Sequence, residues 1–166
     1  LLGYENDNQL YIHSNGDATI DMVIAAHEYA CKELGQALDK DRRTIVIHSQ
    51  FARPDQLETF VKYKMQPSFF TNHAYFWGDV HVENLGEERA GFLSPMVSAN
   101  RLGLKPTNHS DDTVTPVNPL FTIWTAVNRV SRSGAVIGRC IEPISLYSPA
   151  LMTSGFTLTI SINPEA

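Results

Sequence analysis

The sequence predicts an α/β fold: a partial (β/α)8 TIM-type barrel of about four β-α units on a parallel sheet. Three observations carry this prediction. Leu10-Tyr11-Ile12-His13 and Thr44-Ile45-Val46-Ile47-His48 are short apolar, β-rich runs that each end in a histidine, and such runs read as strands. Each is followed by polar turn residues and then by apolar residues at helical spacing. The strand-then-helix order recurs twice more, and that alternation demands a parallel sheet with crossover helices. A complete barrel needs roughly 250 residues in eight units of about 30, so the four units read here supply about half of one.

The elements follow in order. The first strand ends at His13 and breaks into Ser14-Asn15-Gly16-Asp17. Asp17 suits an N-cap, and Ile20, Val23, Ile24, Tyr29, Ala30, Leu34 and Leu38 then mark a long amphipathic helix. The second strand, 44–48, leads to a helix with Pro54 in its first turn that is expected to bury Leu57, Phe60 and Val61. A third strand is expected at 67–71. Residues 72–93, rich in glycine and charge, are expected to form an extended loop over one rim. Ser94-Pro95 fits a cap and first-turn proline for a short helix ending near Gly103, and a fourth strand, 105–108, ends in His109-Ser110-Asp111-Asp112. After a turn-rich stretch at 113–118, Pro119 opens a helix whose expected apolar face is Leu120, Ile123, Trp124 and Val127. The alternating run 156–162 is expected to add a strand outside the repeat. The domain organisation expected is a half barrel at 1–150 and a C-terminal tail at 151–166.

Bulk properties narrow the function classes. At 43% apolar residues, one globular domain is the natural expectation. A net charge of −5 and the lack of a basic stripe argue against nucleic acid as a partner. The one charged stretch, 39–43, mixes signs and reads as a solvated loop. Cys31 and Cys140 are too few for a disulfide scaffold and lack metal-ligand spacing; Cys31 fits a small core residue. No run of about 20 apolar residues is present, so no membrane span is expected. The short acidic start, 1–8, does not resemble a leader, and a cytoplasmic location is expected.

The candidate chemistry sits at strand ends, where α/β folds hold ligands and metals. His13, His48 and Asp111 close the first, second and fourth strands on one rim. Neutral imidazoles with a carboxylate make a site for a divalent metal, and the aspartate can also accept a proton from water. They converge only if the sheet curves into a barrel. For any one such histidine alone, a satisfied structural hydrogen bond is the alternative. His73, just after the third strand, is placed to hydrogen-bond a substrate carbonyl or its developing oxyanion. The neighbouring Tyr75, Phe76 and Trp77 wall a pocket or simply anchor a loop. Asp112 competes with Asp111 or caps a turn, and His109 is placed as a support behind the metal ligands. His27 and His81 read as packing or surface residues, and Arg53 and Arg89 as salt-bridge partners or anion binders. No phosphate loop, dinucleotide fingerprint or Gly-x-Ser-x-Gly elbow is present.

His13-Ser14-Asn15-Gly16-Asp17-Ala18 with Asp21 resembles the His-x-x-Gly-Asp-x-Ala block of the amidohydrolase superfamily, in its amidohydrolase-3 branch. Ile47-His48-Ser49-Gln50 resembles the next-strand histidine block of that branch, and His73-Ala74-Tyr75-Phe76-Trp77-Gly78-Asp79 a block of one subgroup. Ser110-Asp111, with Pro116-Val117-Asn118-Pro119-Leu120 and Ala126-Val127-Asn128-Arg129, resembles the last-strand block and the helix after it. The resemblance implies strands five to eight, the C-terminal half of a metal-dependent barrel. It implies His13, His48 and Asp111 as metal ligands, Asp111 also as general base, and His73 as a substrate-facing residue. It implies a divalent metal, zinc by type, and hydrolysis of an amide or other C–N bond in a small-molecule substrate. The family's first-strand His-x-His pair and strand-four ligand have no counterpart here, so this chain alone is expected to be inactive or nearly so and to hold metal weakly. The alternative is a non-catalytic half-barrel module for binding or regulation, and under either reading a homodimer would cover the open sheet edges.

Overall fold

A computed structural model describes residues 1–138. The expected tail at 151–166, its strand at 156–162 and Cys140 lie outside the described residues. Four parallel strands form one sheet in the order β1-β2-β3-β4: β1 (Tyr11–Ser14), β2 (Ile45–His48), β3 (Gln66–Phe69) and β4 (Thr107–Asn108). Each strand pairs with the next in sequence, as successive barrel strands do, with His13 opposite Ile47 and His48 opposite Phe69. The α/β architecture and parallel sheet expected from the β-α repeat are therefore present. Among the described residues β1 is an edge strand of the sheet, and its Tyr11 is 65% exposed.

The connections are helical. After a short α1 (Leu2–Glu5), α2 (Asp17–Glu33) links β1 to β2 and α3 (Pro54–Tyr63) links β2 to β3. In α2, Gly16 takes the cap position and Asp17 is the first helical residue, one place from the expected boundary. In α3 the core face is Leu57, Phe60 and Tyr63, while Val61 turns outward at 42% exposure. Leu57 and Phe60 join Ile20, Val46, Met65 and Phe69 in the main core between helices and sheet. Burying this set removes each large side chain from water at roughly 1.5–3 kcal/mol. Short α5 (Met96–Arg101) precedes β4, and α6 (Pro119–Asn128) follows it. Among the described residues no helix is long and apolar enough to cross a membrane.

Two larger expectations are corrected as well. Residues 72–93 are not a loop: α4 (Asn72–Gly91) spans nearly all of them, broken only where Gly86 takes φ 78° and ψ 162°. Its glycines hid it. Gly78 is needed for close packing, since a Cβ there would sit 2.7 Å from Ile137. Gly86 supplies a kink that side chains avoid. The second correction concerns α6, whose buried face is Thr122, Ile123, Thr125 and Ala126, while Leu120 and Trp124 face outward. That face is held by hydrogen bonds as much as by burial. Thr125 Oγ1 donates to Asn72 Oδ1 at 2.9 Å, and Asn108 Nδ2 donates to Thr71 Oγ1 at 2.7 Å. A buried polar face with its partners in place is stable, yet an apolar count points to the opposite side. Phe121 and Trp124 instead stack on one another at 5.7 Å and meet Tyr75 of α4. Behind them, buried Arg129 donates to the carbonyls of Leu93 and Ile137 at 2.6 and 2.8 Å and fixes the chain after α6 against the end of α4.

Candidate functional site

Each strand delivers its site residue by ending. β2 closes at His48, where φ turns to +69° and Ser49 follows at +43°, so the strand stops with the imidazole at the rim. His48 is buried, and the next residues lead into Gln50 and then α3. Beyond β4, Asp111 likewise takes φ +52°. Left-handed backbone in side-chain-bearing residues costs energy and concentrates at functional sites. Two of the three such residues named here, His48 and Asp111, are expected ligands.

The donor atoms of His48, His109 and Asp111 all lie within 4.8 Å of one another. His48 Nδ1 stands 3.3 Å from His109 Nε2, and the other nitrogen of His109 is 3.1 Å from the Ser68 hydroxyl on β3. His13, at the end of β1, is not in that compact set; its ring packs edge-on against His48 with centroids 4.5 Å apart. His48 therefore has an imidazole on either side, His13 at 4.5 Å and His109 at 5.0 Å. Burial lowers the His48 pKa, with His13 adding to the effect and the Asp111 carboxylate opposing it. Burial, aided by His48, pushes His109 down to about 4. Both rings are thus neutral near pH 7 and keep a lone pair for a ligand.

His73 stands in the first turn of α4, beyond the end of β3. Its ring lies 4.7 Å from Phe70 and 4.6 Å from Trp77. Phe70 in turn stacks on His109 at 5.3 Å, so one aromatic ring separates His73 from the His48–His109–Asp111 set. Burial and the nearby His81 push His73 down to about 3. Gln50 Nε2 donates to His73 Nδ1 at 3.1 Å and to His81 Nε2 at 3.1 Å.

The remaining candidates resolve plainly. Arg53 is held by Asp21 at 2.8 Å and Asp55 at 3.0 Å, and Arg89 by Asp17 at 2.9 Å, so both make salt bridges. His27 is buried on α2, 2.6 Å from the Tyr4 hydroxyl and 2.9 Å from the Leu38 carbonyl oxygen. Asp112 is exposed. Three contributors escaped the sequence reading: His109 as a donor, and Gln50 and His81 as neighbours of His73. The signal for His109 was available, since it directly follows the fourth strand, at the same rim where His48 closes the second. His81 carried no signal while its segment read as a loop.

Known proteins bear on this geometry. The model of the amidohydrolase family, amidohydrolase-3 branch, matches residues 2–154. Protein LONG AFTER FAR-RED 3 of Arabidopsis thaliana is 30% identical over 126 residues, covering 74% of this chain and 21% of that protein. The crystal structure of an uncharacterized metal-dependent hydrolase from Pyrococcus horikoshii OT3 superposes with a TM-score of 0.62 at 23% identity, over 81% of this chain and 25% of that one. A similarly described hydrolase from Pyrococcus furiosus gives 0.57 at 24% identity, over 74% and 24%. The chain thus spans a quarter or less of the length of each of these relatives, and the two structures show that it shares their fold. A strand-end cluster of imidazoles and carboxylate, on a parallel sheet matched by the family model over nearly the whole sequence, places the chain in the amidohydrolase family.

Proposed function

We propose that this chain forms the strand-five-to-eight part of the catalytic barrel of a metal-dependent hydrolase that cleaves amide or other C–N bonds in small molecules. The observation that carries the reading is the meeting of His48, His109 and Asp111 within 4.8 Å at the strand-end rim. Imidazole and carboxylate are the donor types that zinc takes, and both histidines are neutral at pH 7, so the residues fit such an ion. His48 and Asp111 hold it in this reading, with His13 and His109 as the flanking imidazoles. A divalent ion there, zinc by preference, supplies Lewis acidity and shifts the pKa of water toward neutrality.

The chain's own residues do the rest. The Asp111 carboxylate takes the proton from the attacking water and returns it to the leaving nitrogen as the C–N bond breaks. His73 accepts at Nδ1 from Gln50, which leaves its Nε2–H free to donate to the developing oxyanion. Phe70 and Trp77 keep water from that ring. His13 and Tyr11 are exposed and Asp111 is only partly covered, so the rim stays wet and the chain by itself turns over little or nothing.

Zinc content after equilibrium dialysis tests this. The wild-type chain is expected to lose one equivalent in both His48→Ala and Asp111→Ala, with helix content by circular dichroism unchanged. Zinc content identical to wild type in both variants would sink the reading. A second reading rests on the open edge of β1: a non-catalytic binding or regulatory module that pairs this edge with a second copy. A dimer that takes up no zinc at the His48 site is the result that favours it.

A further inference from the structure

Beside Phe70, whose ring also meets His48 and His109, three polar atoms converge. Gln50 Nε2 is 3.1 Å from His73 Nδ1 and 3.1 Å from His81 Nε2, and those two ring nitrogens are 3.4 Å apart. Because the Gln50 amide donates to both rings, both nitrogens face it as acceptors. Their protons sit on His73 Nε2 and His81 Nδ1. Two imidazole acceptors therefore meet on a single NH2 group. Gln50 is only 2% exposed, and the rings are shielded by Trp77 at 4.6 Å from His73 and Phe51 at 5.2 Å from His81.

The spacing is that of a coordination polyhedron. Nitrogens bonded to a tetrahedral zinc at about 2.0–2.1 Å stand roughly 3.3–3.4 Å apart, which is the separation of the two rings here. Turning the Gln50 carboxamide about its last bond exchanges nitrogen for oxygen at the third corner, 3.1 Å from each ring. We propose that His73 Nδ1, His81 Nε2 and the Gln50 carboxamide oxygen form a second cation site, for a divalent transition ion of the zinc type, that clamps α4 to the segment after β2. Two imidazoles select against magnesium and calcium, which prefer all-oxygen shells. In the metal-free chain the Gln50 NH2 satisfies both lone pairs; with an ion bound, the carboxamide turns and the oxygen joins them. Burial keeps His73 unprotonated far below neutral pH, so no proton must leave before the ion enters. The site shares His73 with the proposed oxyanion contact, which uses the other ring nitrogen, but no residue with the His48–Asp111 cluster, so its zinc equivalent is kept or lost independently of that cluster.

Zinc titration by calorimetry, with cobalt absorption as a check on geometry, tests the proposal on the whole chain. His81→Ala is expected to remove one equivalent that His48→Ala leaves in place. Gln50→Glu, which puts a charged oxygen at the third corner, is expected to tighten that same equivalent by tenfold or more, an effect that misfolding cannot imitate. The cobalt form should show the intense visible bands of a four-coordinate ion. If His81→Ala binds zinc as wild type does, or if Gln50→Glu gives no tightening, the proposal is wrong. If only the His48-dependent equivalent is missing, the proposed catalytic centre fails and this site stands.

Discussion

His48, His73, His81 and His109 share one electrostatic condition: burial lowers the pKa of each, to about 4 for His109 and about 3 for His73. In the unfolded chain each imidazole takes up its proton near 6.5. Between about 6.5 and about 3 the unfolded state therefore binds more protons than the folded one. Stability is complete above about 6.5 and falls as the pH drops through that window. Urea melts of the metal-free chain should accordingly give a lower midpoint at pH 5 than at pH 7, with a smaller gap in His73→Gln. Equal midpoints would contradict the burial of these rings. The placing of His13 and His48 at the ends of β1 and β2, and of Asp111 just beyond β4, was legible in the sequence because each β run gives way there to polar residues. Gln50 and His81 were not legible, because they meet His73 only once residues 72–91 are wound into a helix.

α3, α4 and α6 show what local pattern conveys about an element. α3 reads correctly because Pro54 sets its start and Leu57 and Phe60 repeat on one side; both are fully buried. Phe60→Ala should cost about 3–5 kcal/mol in a denaturant melt; a loss below about 1 kcal/mol would place the ring outside the core. α4 was opaque because Gly78, Gly86 and Gly91 answer to packing and a kink. Gly86→Ala forces a side chain into a conformation reserved for glycine and should cost about 1–3 kcal/mol. A neutral result would mean that the helix is straight. α6 starts where Pro119 predicts, capped by the Asn118 side chain, which accepts from the Phe121 N–H at 3.0 Å. Its orientation was misread because Thr122 and Thr125 bury hydroxyls in a bonded network while aromatic residues lie outside. Asn118→Ala should cost about 1 kcal/mol, read from the same melts.

At the scale of the molecule, the repeat order carried the architecture. Strand follows helix four times, and each strand lies beside its predecessor, because short crossovers leave parallel neighbours as the simplest solution. What the repeat could not convey is which atoms converge, since that depends on sheet curvature. The compact donor set includes His109 and leaves His13 at its flank. The exposed edge at β1 bears on assembly, and sedimentation velocity should show concentration-dependent self-association if a second copy covers it; a monomer at all concentrations would exclude that use of the edge. The central claim is that the rim of this half barrel is a metal centre built on His48 and Asp111. Long-range proton–nitrogen NMR of the imidazoles, recorded as zinc is added, tests it most directly. One His48 ring nitrogen is expected to move to the shift of a metal-bound nitrogen, and this change is expected to disappear in Asp111→Ala. A His48 nitrogen that keeps its metal-free shift at saturating zinc would contradict it.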